Sequence, residues 1–205
     1  MSLLARYKLE GNANDEGGTY NGTATSVTYA TGKQGQAGVF NGSAKIAVNP
    51  ATAFNISAIT AMCWLKTSSP GGSYRGVVQC EPKWGMYLLN SVLIAYDQGG
   101  GGNKSTGVNV ADGAWRHLAY VFNSGVTNGS KLYINGVSVL TFTASLGGGG
   151  LLSLFIGGDQ NNTQRINGTI DDVRLYNTAM TAGEVASIYA SYLPSRRRKL
   201  LAAAQ

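Results

Sequence analysis

Hydrophobic and polar positions alternate along most of this chain in short runs, the period-two pattern of half-buried β-strands. Such runs are Leu3–Leu9, Ala37–Phe40, Ala44–Val48, Ile59–Lys66, Gly76–Cys80, Met86–Leu89, Val92–Tyr96, Trp115–Phe122, Leu132–Ile134, Val137–Phe142, Leu152–Ile156 and Thr169–Tyr176. In the fourth, Ile59, Ala61, Cys63 and Leu65 share one face against Thr60, Met62, Trp64 and Lys66. Asn41-Gly42 and Asn135-Gly136 are dipeptides that favour two-residue hairpin turns, so each predicts that its flanking runs pair. The runs from Gly76 to Tyr96 read as a meander. Asn12–Gly18 reads as a loop, and the glycine runs 99–102 and 147–150 as flexible tips. Trp64 and Trp115, inside strand runs, read as core.

The period changes once. Thr181-Ala182-Gly183-Glu184 has the spacing of a capping box, and Val185, Ile188, Tyr189 and Tyr192 follow at helical spacing with Pro194 closing the element. The expected organisation is one domain over residues 1–194 and a basic tail over 195–205, the tail carrying Arg196, Arg197, Arg198, Lys199 and a small apolar block from Leu200.

Composition narrows the class to all-β. Glycine is abundant at 29 residues, proline scarce at 4, and charged residues form only 13%, which suits many short strands joined by tight turns. The formal charge is +6, but four of the 16 cations lie in the tail. The remaining 12 face 10 acidic residues, leaving +2 over residues 1–194. A nearly neutral domain has no broad electrostatic footprint for nucleic acid. No run is long and apolar enough for a membrane span, and no secretory signal precedes the first strand run. Cys63 and Cys80 match no metal motif; two buried free thiols are expected, with a cross-strand disulfide as the alternative.

Several segments, in order, resemble laminin-G-like, concanavalin A-like jelly-roll domains. They are Tyr7-Lys8-Leu9-Glu10-Gly11-Asn12-Ala13-Asn14-Asp15, Phe40-Asn41-Gly42-Ser43, Ile59–Trp64, Trp115-Arg116-His117-Leu118-Ala119, Leu132-Tyr133-Ile134-Asn135-Gly136 and Gly168–Asn177. The resemblance covers residues 3 to 192. It implies a two-sheet antiparallel sandwich of about a dozen strands, with the first and last strands side by side and one short C-terminal helix. It implies function poorly, because this fold serves lectins, adhesion modules, enzymes and virion proteins.

Glycoside hydrolysis needs two carboxylates facing one cleft, about 5–9 Å apart. The related glucanases carry them on one strand as Glu-x-Asp-x-Glu, a motif missing here. Glu81, Asp97, Asp112 and Asp159 are isolated, and the adjacent Asp171 and Asp172 would point to opposite faces of a regular strand. His117, the single histidine, lies inside a strand run and reads as a sandwich-face or edge residue; with two separated cysteines it makes no zinc set. No catalytic residue and no metal ligand is therefore assigned. The resemblance does raise a structural calcium, held by Asp15 with Asp171 or Asp172; otherwise these carboxylates satisfy neighbouring backbone N–H groups. Seven Asn-x-Ser/Thr triplets, including those at Asn21, Asn41, Asn55 and Asn167, read as turn composition.

A glycan site would set aromatic faces beside amides and carboxylates, and the loops holding Tyr74, Trp84, Tyr96, Asp97 and Asn161 are candidates. The expectation is a non-catalytic binding or structural module: a virion-associated decoration or fibre protein with adhesion or glycan-binding capacity, or a free or exported lectin-like protein, with a glycoside hydrolase as a distant third. Its expected partners are proteins of a larger assembly, a neighbouring subunit docked by the tail, and surface glycans, with no nucleic acid and no membrane. The expected location is a virion surface or the extracellular space.

Overall fold

The computed structural model describes residues 2–72, 74–97, 99, 102–147 and 152–194. In chain order the strands are β1 (Leu3–Tyr7), β2 (Thr23–Thr25), β3 (Thr28–Thr31), β4 (Gln36–Asn41), β5 (Lys45–Val48), β6 (Ala58–Lys66), β7 (Tyr74–Glu81), β8 (Trp84–Leu89), β9 (Val92–Asp97), β10 (Gly102–Asn109), β11 (Arg116–Asn123), β12 (Ser130–Ile134), β13 (Val137–Phe142), β14 (Ser153–Ile156) and β15 (Asn167–Tyr176). One helix follows, α1 (Ala182–Ser191), and a single 3-10 turn covers Thr52–Phe54.

The strands form two antiparallel sheets. One has eight strands in the order β13-β12-β11-β6-β15-β4-β3, with β1 pairing β15 beside β4. The other has seven, in the order β10-β9-β8-β7-β14-β5-β2. The expected all-β two-sheet jelly-roll sandwich is what forms. The first and last strands lie side by side as the resemblance implied: β1 runs along Val173–Tyr176 of β15, while β4 takes Asn167–Ile170 of the same strand.

The period-two pattern accounts for the core between the sheets. Ile59, Ala61, Cys63 and Leu65 of β6 and Leu118, Tyr120 and Phe122 of β11 meet Val78 and Cys80 of β7 and Trp84, Met86 and Leu88 of β8. Both cysteines are buried free thiols, and burial raises both, Cys80 to about 12. The Trp84 indole N–H donates to the Phe54 carbonyl at 3.0 Å, so its single polar atom is satisfied within the core.

A second apolar layer lies outside the eight-stranded sheet. There α1 covers Met62, Ala119, Val121, Tyr133 and Tyr176, with Met180 and Val185 contributed from its own side. Trp64 is buried in this layer, against His117, Tyr189 and Tyr192, rather than between the sheets. The capping box starts the helix as expected: Thr181 Oγ1 accepts from Glu184 N–H and the Glu184 carboxylate accepts from Thr181 N–H.

Four expectations need correction. Asn135-Gly136 does close a hairpin between β12 and β13, with both residues at positive φ. Asn41-Gly42 does not: β4 belongs to the eight-stranded sheet and β5 to the seven-stranded one, so this turn carries the chain from one sheet to the other. Trp115 precedes β11 and is only half-buried, so it is no core residue. β2, β3 and β10 were unforeseen; their residues are mostly exposed and polar, without an alternating apolar face. Asp171 and Asp172 also depart from a regular strand. A bulge between Asp171 and Arg174, with Asp172 at φ +45°, breaks the alternation, and both carboxylates border one shallow depression with Arg6, Lys8, Glu10 and Gln34. The tail, 195–205, and parts of both glycine tips lie outside the described residues.

Candidate functional site

An open groove of about 640 Å³ lies on the outer face of the seven-stranded sheet. Its floor follows from strand register. On β8, Trp84, Met86 and Leu88 point into the core, which turns Gly85 and Tyr87 outward. Gly85 pairs with Tyr96 of β9 and with Gln79 of β7, and Tyr96 pairs with Asn103 of β10. Alternation thus brings Tyr87, Tyr96 and Asn103, distant in sequence, onto one surface.

The rings of Tyr87 and Tyr96 stand edge to face, 6.1 Å apart. Tyr87 is nearly buried and Tyr96 half-exposed, so one ring fixes the other while the second offers a face to solvent. Tyr74, at the start of β7, adds a third ring, and its hydroxyl accepts from the Asn103 amide. The opposite wall is the loop 157–166, which carries Gln160, Asn161 and Gln164. Asp159, buried at its base, shapes that loop by accepting from Thr163 N–H, Gln164 N–H and Thr163 Oγ1, each at 2.9 Å. Gly76 N–H donates to the Gln164 carbonyl at 2.8 Å, and Arg75 to the Thr163 carbonyl at 2.9 Å, tying the wall to β7.

Glu81, at the end of β7, closes one side with Pro82 and Lys83. Its carboxylate accepts from Gln160 N–H at 3.1 Å. Burial raises its pKa, the Gln160 bond and Lys45 lower it, and nearby Asp159 raises it further. The Lys83 ammonium turns away to the Gly147 carbonyl at 2.7 Å. The Gln164 side-chain oxygen is buried at the groove without a hydrogen-bond partner among the described residues. Three rings, four amides and one carboxylate can recognise a ligand that has both an apolar face and many hydroxyls.

Of the five residues expected at a glycan site, Tyr74, Trp84, Tyr96 and Asn161 line this groove, and Asp97 is buried outside it. All but Asn161 lie on strands rather than loops. Tyr87, Glu81, Asn103, Gln160 and Gln164 were not foreseen. No spacing in the chain announces them, because four separate segments contribute them.

The carboxylates considered for calcium make hydrogen bonds and ion pairs within the chain. Asp15 accepts from Arg6, Thr19 and Tyr20 N–H groups and so caps its own loop. Asp171 accepts from Lys33 and Gln34 N–H. Asp172 pairs with Arg6 at 2.7 Å and Arg174 at 2.8 Å and accepts from the Tyr192 hydroxyl. Burial would raise Asp172, but these hydrogen bonds prevail and hold it well below the usual carboxylate range. No group of three or more His, Cys, Asp or Glu side chains forms a metal-holding cluster among the described residues. No described helix is long and apolar enough to cross a membrane.

A family model described as the concanavalin A-like lectin/glucanases superfamily matches residues 40–186. Among solved structures, domain 4 of AbnA, a GH43 extracellular arabinanase from Geobacillus stearothermophilus in complex with arabinotriose, is 24% identical with a TM-score of 0.71. That match covers 92% of this chain and 98% of the domain. The binding domain of Paraclostridial Mosquitocidal Protein 1 is 18% identical with a TM-score of 0.73 over 93% of this chain. The binding domain of botulinum neurotoxin DC, in complex with rat synaptotagmin II, is 12% identical with a TM-score of 0.69 over 94%. The present chain covers 52% of each of these two toxin chains. At such identities the likeness establishes the fold alone. No curated protein matched in sequence.

Proposed function

The chain belongs to the concanavalin A-like lectin/glucanase superfamily, and on that premise we propose that it is a non-catalytic carbohydrate-binding module whose site is the groove of Tyr74, Tyr87 and Tyr96. The observation that carries this reading is the combination of a half-exposed Tyr96 ring, braced by Tyr87, with amides on both walls. A pyranose or furanose ring presents C–H groups to an aromatic face and hydroxyls to amides at its edge. The arabinotriose-bound domain of the arabinanase, similar over nearly its whole length, supports the same class of ligand.

Binding rather than turnover is favoured by the carboxylates. Glu81 is the one carboxylate among the described groove-lining residues, and Asp159 behind it is buried with both oxygens occupied. Two carboxyl groups facing one bond are the ordinary requirement for hydrolysis. The tail expected to dock on a neighbouring subunit lies outside the described residues; the groove supports the glycan-binding part of the expectation. Titration of the full chain with a panel of soluble oligosaccharides, followed by calorimetry, tests the proposal. Saturable binding lost in Tyr96→Ala supports it. Absence of binding across the panel, or product release abolished by Glu81→Gln, overturns it.

A further inference from the structure

We propose that the groove selects neutral saccharides and rejects carboxylated or sulfated ones, with Glu81 as the selecting residue; this rests on the carbohydrate-binding reading above. The argument is one of charge at the site. Glu81 lies at the groove wall, half-buried, with one carboxylate oxygen already accepting from Gln160 N–H. Of the cations around it, Lys83 alone lines the groove among the described residues, and its ammonium is drawn off to a backbone carbonyl, while Lys45, Arg75 and Arg165 lie outside the lining. Lys83 donates to Gly147, Lys45 to Asp159 at 3.1 Å, Arg75 to Tyr74 and Thr163, and Arg165 to Ser43. Lys45 also lies 4.9 Å from the centre of the Phe155 ring, which holds its head on the sheet. The buried Asp159 adds a second negative charge behind Glu81.

The polar atoms offered to a ligand are therefore the carboxylate, the oxygen of Gln164, which is buried and unpartnered among the described residues, tyrosine hydroxyls and side-chain amides. The carboxylate and the Gln164 oxygen are acceptors that sugar hydroxyls satisfy as donors. A uronate or sulfate group brings further acceptors and a like charge. Two like charges about 5 Å apart at a solvent-exposed wall disfavour binding on the order of ten-fold. An acidic glycan site would instead aim a cation's donors into the groove, the usual device for anion recognition.

The test compares matched pairs of soluble oligosaccharides, such as linear xylo-oligosaccharides with and without a glucuronic acid branch, and gluco-oligosaccharides with and without 6-carboxylation. Binding of the intact chain and of Glu81→Gln is measured at one pH and ionic strength. Glutamine retains an acceptor for Gln160 N–H and nearly the same shape while it removes the charge. The expected result is a preference of roughly ten-fold for the neutral member, falling several-fold toward unity in Glu81→Gln. Equal or tighter binding of the acidic members, or a neutral-to-acidic ratio unmoved by Glu81→Gln, overturns the selectivity while the carbohydrate-binding reading stands. No binding by any member overturns both. Circular dichroism of the variant confirms the fold, and Glu81→Ala, measured in parallel, provides a second removal of the charge.

Discussion

The ring of Tyr87 occupies the space that a side chain at Gly85 would need. A β-carbon built on Gly85 overlaps Tyr87 Cε2 and comes within 3.0 Å of the Gln79 Cβ. Glycine is required at this position by close approach, not by backbone angle. Its absent side chain lets the Tyr87 ring lie along the strand and meet Tyr96 edge to face.

Gly85→Ala should therefore alter the groove more than the fold. The ring must swing away from β8, and its contact with Tyr96 is lost. Ring pairs of this kind are worth about 0.5–1.5 kcal/mol. We expect saccharide affinity to fall roughly 3- to 10-fold while the urea midpoint shifts only slightly. A variant that binds as tightly as the parent chain would show that Tyr87 does not organise the site.

Tyr96→Ala removes the exposed ring face itself. Because Tyr96 is half-exposed and lies outside the main core cluster, stability should change by less than about 1.5 kcal/mol. Affinity should fall at least ten-fold. Tryptophan at this position, with a larger face, should retain binding. Titration calorimetry beside thermal melts separates the two effects, and unchanged affinity in Tyr96→Ala would remove the ring from the site.

These residues also mark where sequence reading succeeds and stops. Alternation in β6, β8 and β11 is visible because one face of each packs in a core and apolar residues recur at every second position. β10 escaped because an edge strand with Asn103, Lys104, Ser105 and Thr106 has no apolar face to display. The Asn41-Gly42 turn misled for a different reason. The dipeptide specifies local backbone direction, but whether the next strand pairs with the last or crosses to the other sheet is decided by distant partners, here β15 and β14. The bulge at Asp172 breaks the strand rule that placed Asp171 and Asp172 on opposite faces. The groove was half-legible because aromatic and amide residues could be noted singly, whereas the register that gathers them depends on four paired strands.

The two tryptophans read as core should behave differently. Trp64, buried beneath α1 among His117, Tyr189 and Tyr192 with Lys33 Nζ 4.5 Å from its ring centre, should cost about 3–5 kcal/mol when changed to alanine. Trp115, half-buried and outside β11, should cost about 1–2 kcal/mol. Chemical denaturation of both variants checks this. Equal losses would mean that the helix-covered layer contributes no more than the strand entrance.

Acid sensitivity should originate in that same layer. His117 is 1% exposed, its ring centre 5.3 Å from that of Trp64 and 5.8 Å from that of Tyr189, and its Nδ1 has no partner among the described residues. Burial, aided by the nearby Arg174 charge and opposed by Asp172, lowers it to about 3 from an ordinary 6.5. The folded chain therefore holds a neutral imidazole where the unfolded chain takes up a proton, so stability falls as pH drops from about 6.5 toward 3. At pH 5 the unfolded state has gained about 1.5 pH units of protonation, a loss of about 2 kcal/mol. Asp171 acts in the opposite sense. Burial raises it to about 6 against the hydrogen bonds from Gln34 and Lys33, so the folded chain takes a proton first and gains relative stability from about pH 6 down to 4. The raw curve mixes the two, and His117→Gln separates them, since glutamine does not titrate. The variant should be less stable than the parent chain at pH 7.5, and the difference should narrow by about 2 kcal/mol at pH 5. A difference that stays constant with pH would mean that His117 titrates alike in both states, and the neutral buried imidazole would have to be abandoned.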